Sequence, residues 1–451
     1  MASRARTTAS RLRDWRPGAI VWILASALFA TSTTLQIVGV PGTSSFGTRT
    51  RFDLDVYRLG GQLWHQGISL YADGSLPFTT DGIWLPFTYP PFAALLFTPL
   101  GMISLDTGGV MLSVISALCL VYVTVVFLRM LHIGTRANRT VLALLIAAGA
   151  VWCNPFGMTL SFGQINLILL VIIVVDLFVL GRTPSAATSG LRGTLIGLAS
   201  AIKLTPLVFL IVFAAASKWR AMWTGVTTFL LAAAIAAVWL PGDSLQYWTD
   251  TLFHTGRIGV PEGPINQNFN GAWLRLLGPE NPVAPAAWVM SALVITALAA
   301  IALYRTRPAA AFRVNPTPRD DINAVLAACI VAFWGLLVAP TTWSHHWVWS
   351  LPAILACLVV AGHSPSAWTT RLYGALGVAG IPIFAIGPFQ LMPADVTTWS
   401  WWQQVVGNAY LLWAFAFLIL LWLKPFRQAT LSDSPHRRRH TADHSKPSAR
   451  T

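Results

Sequence analysis

Long stretches without charged side chains constrain this chain more than any other feature of its sequence. An α-helix crosses a hydrocarbon core about 30 Å thick with about 20 apolar residues. Ten segments approach or exceed that requirement: 18–40, 107–131, 139–153, 162–180, 221–240, 285–304, 322–338, 347–362, 371–387 and 403–424. Charged residues make up only 10% of the chain, against about 25% in soluble domains. We therefore predict an all-α polytopic membrane protein with about 10–12 transmembrane helices.

Two further apolar stretches, 88–103 and 193–216, are interrupted by proline. The first contains Tyr89-Pro90-Pro91 and Pro99, and the second contains Lys203-Leu204-Thr205-Pro206. Irregular backbone at membrane depth is tolerated only where protein or a water-filled cavity surrounds it. We expect both stretches to be short or re-entrant and to lie near a functional site.

The distribution of basic residues predicts the orientation. The chain carries a net charge of +14, and cytoplasmic segments of membrane proteins are enriched in Lys and Arg. We assign residues 1–17 to a basic cytoplasmic N-terminus and residues 425–451 to a disordered basic cytoplasmic tail. Two large loops, 41–87 and 241–284, then lie outside with short amphipathic helices. Lys203 is left at membrane depth, and the external cations are Arg49, Arg51, Arg58, Arg257 and Arg275.

Cysteine offers no sign of a metal site or a structural disulfide. All four cysteines fall inside apolar runs, and none stands in a Cys-x-x-Cys spacing. A thiol in such a run behaves as a small hydrophobic side chain. We predict no metal ligands among them.

Asp53 and Asp55 follow the first apolar run closely and are candidate catalytic carboxylates. They are either solvated loop or helix-cap residues, or one of them is a general base, or both bind a divalent cation. Residues i and i+2 share a face in an extended chain but diverge by about 200° in a helix. The pattern after Asp53 is more helical, which favours one base over a metal pair and leaves Asp55 as a second acid.

His345 and His346 precede an apolar run, and Lys203 is the only lysine inside one. A cation in such a run is costly and points to function, with a phosphate as its partner. Adjacent histidines on a helix face different ways, so the pair is a poor two-ligand metal site. A buried histidine can equally be hydrogen-bonded core. The neighbouring aromatic side chain of Trp343 suits contact with a sugar or phosphate.

Amide side chains recur near the external ends of predicted spans. Asn266-Gln267-Asn268 precedes Trp273 and Arg275, and Gly163-Gln164-Ile165-Asn166 repeats the theme. Amides beside aromatic rings suit sugar hydroxyls and ring faces, although Asn-rich segments are also common turn chemistry. The candidate donor-phosphate or sugar-binding residues are therefore Lys203, His345, His346, Arg58, Tyr89, Asn266, Gln267, Arg275, Gln164, Asn166 and Trp343.

These motifs, in this order, resemble one known family. The set is Asp53-x3-Tyr57, Gly67-x3-Tyr71, Tyr89-Pro90-Pro91, Gly163-Gln164-x-Asn166, Lys203-x2-Pro206, Asn266-Gln267 and Trp343-Ser344-His345-His346. From about residue 18 to residue 424 the chain resembles the actinobacterial membrane mannosyltransferases of carbohydrate-active family eighty-seven, in the GT-C class. The resemblance implies a GT-C fold over residues 18–424 and a catalytic aspartate, here Asp53, in the first external loop. Asp55 stands where relatives often have a non-acidic residue.

The resemblance also implies the reaction and its substrates. The donor is polyprenyl-phosphate mannose, the acceptor a phosphatidylinositol mannoside or related lipoglycan, and the product linkage α-1,2, formed on the external face of the plasma membrane. Inversion at the anomeric carbon needs one base for the acceptor proton and donors that stabilise the leaving phosphate. We expect no cofactor and no nucleic-acid partner, and we do not favour a divalent metal.

Two other functions fit the number of spans. A lipid-glycan flippase would show many spans and buried polar residues, but no two-fold repeat is visible and the polar residues collect on one side. A non-catalytic subunit of an envelope assembly complex is opposed only by the motif set.

Overall fold

A computed structural model describes residues 16–39, 51–72, 76, 79, 82, 84–180, 190–312, 316–393 and 399–426. Nearly all of the N-terminal segment 1–17 and of the tail 425–451 lies outside this part of the chain, as do residues 40–50 and 73–75 in and next to the predicted first external loop. Predictions for those segments are not addressed by the structure.

The described residues form a helical protein with two apolar cores. Its α-helices are α1 (Ala19–Val38), α2 (Phe52–His65), α3 (Pro91–Gly101), α4 (Leu105–Met130), α5 (Arg136–Ala150), α6 (Asn154–Phe162), α7 (Asn166–Phe178), α8 (Thr194–Ile202), α9 (Leu210–Ala215), α10 (Trp219–Trp239), α11 (Pro241–Thr249), α12 (Phe269–Leu277), α13 (Val283–Thr306), α14 (Pro318–Val338), α15 (Ser350–His363), α16 (Ala367–Ile386), α17 (Trp401–Gly407) and α18 (Ala409–Leu423). Short 3-10 helices cover Thr205–Phe209, Thr251–Phe253, Thr255–Ile258, Pro308–Phe312, Ser344–Trp349 and Pro388–Leu391.

Seven helical segments within the described residues are long and apolar enough to cross a membrane, and nine if each of two bent pairs counts as one span. The helices α1, α10, α13 and α16 expose many large apolar side chains. This is the pattern of a protein surface that faces lipid. The prediction of an all-α polytopic membrane protein is therefore confirmed. Three shorter apolar helices, Pro91–Gly101, Asn166–Phe178 and Thr205–Ala215, account for the remaining predicted elements.

Both proline-interrupted stretches are short. The helix α3 has 11 residues, about 17 Å at 1.5 Å per residue, which is well under the thickness of the hydrocarbon core. The segment 193–216 breaks after α8, where Lys203 takes an extended conformation, and continues as the 3-10 helix Thr205–Phe209. The chain at Lys203 therefore leaves helical geometry within an apolar region.

Two predicted boundaries were wrong, and one predicted span is bent. The predicted span 162–180 is only the 13-residue helix α7, because Gly163 ends α6 in a left-handed conformation (φ +68) and the chain turns before Asn166. The predicted short connection 154–161 is instead the helix α6, bent by 75° from α5. The predicted span 403–424 is divided between α17 and α18, which are bent by 71°.

The two cores meet where the site forms. The larger core joins α4, α7, α13, α14, α15 and α18. The smaller core joins α2 and α3 to the N-terminal part of α7 and to Ala199 and Ile202 of α8. Within it α2 and α3 pack closely at Gly61, where an added Cβ would lie 2.6 Å from the carbonyl oxygen of Phe97. Polar side chains at this junction are held between two apolar bodies.

Candidate active site

The helix α2 begins at the end of α6 and brings Asp53 into its first turn. The backbone N–H of Arg51 donates to the carbonyl of Ser161 (3.0 Å). Gly163 packs against Leu54, and an added Cβ there would lie 2.6 Å from the Cβ of Leu54. Carboxylates are favoured in the first turn of a helix by its macrodipole. The start of α2 is therefore fixed directly beside Gln164.

Gln164 links Asp53 to two tyrosines. The hydroxyl of Tyr57 donates to Gln164 Oε1 (2.9 Å), and the hydroxyls of Tyr57 and Tyr89 are 3.2 Å apart. Gln164 also hydrogen-bonds the Asp53 carboxyl group; because its oxygen serves Tyr57, its amide nitrogen is the donor to Asp53. Burial raises the pKa of Asp53 to about 6, although this hydrogen bond and the charge of Lys203 act to lower it. Asp53 is thus ionised at neutral pH but holds a proton more readily than an ordinary aspartate.

Lys203 extends into the same space from the break after α8. Its Nζ lies 3.2 Å from Asn166 Oδ1, 3.4 Å from Gln164 Oε1 and 3.5 Å from His346 Nε2. The ammonium also lies 5.7 Å from the centre of the Tyr89 ring. No carboxylate of the described residues forms a salt bridge with it. Lys203 is therefore a cation held by neutral partners, with capacity for an anion.

His346 presents a second donor to this space. The backbone N–H of Trp343 donates to His346 Nδ1 (3.2 Å), so a neutral imidazole carries its proton on Nε2. That nitrogen faces Lys203 Nζ, and two donors converge without an acceptor between them. A negatively charged oxygen would satisfy both.

His345 occupies a different position from His346. Its ring packs edge-on against Phe162, with centroids 5.5 Å apart, and is only 3% exposed. Neither ring nitrogen has a hydrogen-bond partner among the described residues. Its backbone carbonyl accepts from Asn166 Nδ2 (2.9 Å). The His345 ring contacts the His346 ring, with centroids 4.6 Å apart, but among the described residues only the His346 ring lies within hydrogen-bond distance of Lys203.

Asp55 lies on another side of α2 from Asp53. Its carboxylate is buried and pairs with Arg58 Nη1 (2.8 Å), whose Nε donates to the carbonyl of Ile103 (3.0 Å). No group of three or more His, Cys, Asp or Glu side chains within the described residues is arranged to hold a metal ion. Asp55 and Arg58 therefore form an ion pair that the structure does not bring to Lys203, and metal independence stays a prediction.

Arg275 is likewise engaged elsewhere. It is fully buried, and its guanidinium donates to the carbonyls of Glu262 (3.2 Å) and Gly263 (2.9 Å) and to Asn408 Oδ1 (2.5 Å). The same group lies 4.6 Å from the ring centre of Trp399. These contacts fix the segment 262–275 and leave Arg275 outside the group around Lys203.

Asn266 and Gln267 join the loop 241–284 to the segment that carries His346. Asn266 Oδ1 accepts from the backbone N–H of Thr342 (2.8 Å), and an isolated β-bridge pairs Asn266 with Trp343. Gln267 Nε2 donates to the carbonyls of Pro264 and Gly407 (2.8 Å each). Both amides are fully buried. They hold backbone in place, and the structure does not direct them to the space at Lys203.

A mostly apolar cavity of about 340 Å³ opens beside His346 and Asn166. Its walls come from α7, the 3-10 helix Thr205–Phe209 and the end of α14. The volume lies within the usual range of about 300–1,000 Å³ for ligand sites. The polar group around Lys203 therefore stands at one end of an apolar groove.

Tyr57 is the site residue that the candidate set omitted. It lies four residues after Asp53, and side chains at i and i+4 share a helix face. Its hydroxyl is buried between Gln164 and Tyr89. The helical pattern after Asp53 was a signal that could have identified it.

The family assignment follows from comparison with known proteins. The model of Glycosyltransferase family 87 matches residues 87–340, which is more than half of the chain. The chain belongs to glycosyltransferase family 87. That membership sets aside the flippase alternative, which was wrong.

Similar proteins cover nearly the whole length of this family member. The chain is 35% identical over 434 residues to a Mycobacterium tuberculosis protein named polyprenol-phosphate-mannose-dependent alpha-(1-2)-phosphatidylinositol mannoside mannosyltransferase, with 93% of each chain covered. It is 36% identical to a Mycolicibacterium smegmatis protein of the same name, with 83% of this chain and 84% of that chain covered. A M. tuberculosis phosphatidylinositol pentamannoside mannosyltransferase is 29% identical, with 92% of this chain and 86% of that chain covered.

Among solved structures, ArnT from Cupriavidus metallidurans bound to undecaprenyl phosphate matches 89% of this chain and 76% of its own chain. The sequence identity is 13% and the TM-score is 0.31. A similarity this distant supports no inference about the site.

Proposed function

We propose that this protein transfers mannose from polyprenyl-phosphate mannose to a hydroxyl of a phosphatidylinositol mannoside and forms an α-1,2 linkage. The observation that carries the proposal is the meeting of one carboxylate, Asp53, with two donors, Lys203 and His346, at the end of an apolar cavity. The names of the relatives support the substrates and the linkage. The greater identity to these relatives than to the pentamannoside enzyme favours the shorter acceptor.

Asp53 acts as the general base in this reaction. It takes the proton of the acceptor hydroxyl while that oxygen attacks the anomeric carbon of the mannose. The bond from that carbon to the phosphate oxygen breaks, and polyprenyl phosphate leaves with the electron pair. A pKa of about 6 suits this role, because a general base works best with a pKa near the operating pH. Gln164 orients the carboxylate by its amide donor.

Lys203 and His346 stabilise the leaving phosphate. Both are fixed before the substrate arrives: Lys203 by Asn166 and Gln164, and His346 by the backbone of Trp343. Preorganised donors of this kind act on charge that develops in the transition state. A single phosphate needs fewer positive groups than a nucleotide diphosphate, which supports a reaction without a divalent metal.

The apolar cavity accommodates the polyprenyl chain. Its lining is largely Leu, Ile, Val, Pro, Phe and Trp side chains, with His346 and Asn166 among its polar residues. A prenyl chain seated there directs its phosphate toward Lys203. A soluble nucleotide-sugar would have no use for such a groove.

The test is transfer in a defined membrane. The purified full-length protein is incubated in lipid with radiolabelled polyprenyl-phosphate mannose and phosphatidylinositol mannosides of increasing length, and the product linkage is identified. We expect an α-1,2-linked mannose on one of these acceptors. Absence of transfer to all of them, or a product with another linkage, would contradict the proposal.

We also propose that the site faces the external side of the plasma membrane. The uneven division of basic residues supports this orientation, because cytoplasmic ends of spans are enriched in Lys and Arg. Glu280→Cys, before α13, and Ala137→Cys, in α5, provide a matched pair at exposed positions of opposite predicted sides. An impermeant thiol reagent outside intact cells should label only the first. The reverse pattern would overturn the orientation.

A further inference from the structure

A second and larger cavity lies at the other end of α14. It has a volume of about 1150 Å³ and is lined by α13, α14 and the 3-10 helix Pro308–Phe312. The helix α14 begins at this cavity and ends at Val338, next to the segment that carries His346. Its 21 residues span about 30 Å. The end of the cavity at the start of α14 therefore lies toward the opposite face of the membrane from the active site, and the cavity extends along α14 as far as Trp334, which also lines the smaller cavity.

Three arginines line this cavity: Arg305, Arg307 and Arg319. One carboxylate, Asp320, is also among its lining residues. That carboxylate is engaged, because Asp320 Oδ2 accepts from the backbone N–H (2.9 Å) and the hydroxyl (2.8 Å) of Thr317 in a capping box. No salt bridge joins the three arginines to a carboxylate within the part of the chain that the structure describes. The cavity therefore carries an excess of positive charge at its mouth.

The interior of the cavity is apolar beyond these arginines. Leu303 of α13 and Ile330 and Val331 of α14 line it, together with alanines of α13. Trp334 stands at the far end, where its Nε1 donates to Thr296 Oγ1 (2.9 Å). The cavity thus combines a basic mouth with a largely apolar body that extends to Trp334, a residue it shares with the smaller cavity.

Asn323 adds an unused acceptor to the lining. It lies four residues after Arg319, so the two share a face of α14. Asn323 is only 7% exposed, and its Oδ1 has no hydrogen-bond partner among the described residues. A buried amide oxygen left unpaired is costly, and a ligand hydroxyl group would satisfy it.

We propose that this cavity binds one anionic phospholipid from the leaflet opposite the active site. Its phosphate lies between the three arginines, a headgroup hydroxyl reaches Asn323, and acyl chain occupies the apolar body. A free phosphate ion would leave that apolar body unused. The donor phosphate is not the anion at the three arginines if, as proposed above, it is held at Lys203 near the other end of α14. The bound lipid joins α13 to α14 and stabilises the folded protein, because it binds only the folded state.

The test compares lipid headgroups on the intact protein. Full-length protein in phosphatidylcholine nanodiscs is titrated with phosphatidylglycerol, and bound lipid is counted by native mass spectrometry together with the melting temperature. We expect one retained phosphatidylglycerol, a higher melting temperature, and affinity that falls at high salt, since exposed charge pairs are screened. Equal retention of phosphatidylcholine and phosphatidylglycerol by the wild type would overturn the proposal without recourse to any variant.

A matched pair of triple variants locates the site. Arg305→Gln/Arg307→Gln/Arg319→Gln removes the basic mouth, and we expect at least a tenfold loss of phosphatidylglycerol affinity. Arg136→Gln/Arg220→Gln/Arg371→Gln removes equal charge from exposed positions at the same predicted face, and affinity should stay within twofold. Equal losses in both variants would indicate general surface attraction and refute the cavity. Displacement of the retained phosphatidylglycerol by one equivalent of polyprenyl phosphate would assign the cavity to the donor and also refute the proposal.

Discussion

Replacing Asp53 by Asn should abolish catalysis while making the protein more stable. An amide cannot take the acceptor proton, and a positioned general base contributes about 10²–10⁴-fold to rate. The expected loss in kcat is therefore at least 10²-fold. The amide oxygen can still accept the hydrogen bond from Gln164, so the surroundings of residue 53 keep their geometry.

The stability gain follows from the raised pKa. Burial moves the pKa of Asp53 from 3.8 to about 6, so the folded state binds the proton more tightly than the unfolded state does. Ionisation of Asp53 therefore destabilises the folded state. Its contribution to the free energy of unfolding falls as the pH rises from about 4 to 6 and is constant at higher pH. Each tenfold change in proton affinity is worth about 1.4 kcal/mol. The shift from 3.8 to about 6 therefore lowers the free energy of unfolding by about 3 kcal/mol at neutral pH. Partial exposure of the side chain to water reduces this free-energy difference. We therefore expect Asp53→Asn to raise the free energy of unfolding by about 1–2 kcal/mol.

The assay is paired kinetics and thermal unfolding in lipid nanodiscs at pH 7.5. Loss of transfer together with an unchanged or higher melting temperature supports Asp53 as the base. Asp55→Asn is the matched control, because it should keep most activity per folded molecule but lower the melting temperature by leaving Arg58 buried without its partner. Retained activity in Asp53→Asn together with a folded but inactive Asp55→Asn would refute the assignment.

Four further outcomes are expected. In a pH series, log(kcat/KM) should fall with unit slope below about pH 6 and be flat above it, since Asp53 must be ionised and its pKa is about 6; a profile flat to pH 4.5 would contradict this. Lys203→Gln should lower kcat by about 10²–10³-fold with little change in melting temperature, measured with the same donor. Arg275→Leu should destabilise by about 3 kcal/mol, seen as a lower melting temperature, because it leaves carbonyl groups and Asn408 without a donor; unchanged stability would argue against a structural role. EDTA should leave transfer intact, and full loss restored by Mg²⁺ or Mn²⁺ would contradict metal independence.

Most spans could be predicted because apolar length alone determines whether a helix can cross a membrane. The errors occur where local polar contacts interrupt that length. Asn408 divides the last predicted span because its side chain accepts from Arg275 and donates to the carbonyl of Gln404. The turn at Gly163 similarly shortens α7. Neither interruption includes a proline. The hydropathy of the sequence does not indicate the side-chain hydrogen bonds and turns that divide these helices.

The candidate site was predictable where helical spacing applied and not where partners were distant in the sequence. The separation of Asp53 from Asp55 follows from the angle between residues i and i+2 in a helix. The engagement of Arg275 does not, because its acceptors are carbonyls in its own loop and a side chain 133 residues away. An arginine that binds phosphate and one that binds backbone look the same in a sequence.

The groups around Lys203 come from distant parts of the chain, and this has a consequence for biogenesis. Asp53 lies near the start of the polypeptide, while His346 joins only with the span that begins at Ser344. Contacts of such sequence separation form late, because loop closure must precede them. During insertion the base is in place long before the phosphate donors. A nascent or truncated chain that ends before this span therefore has no transfer activity. Transfer becomes possible only after the helix that carries His346 has been inserted.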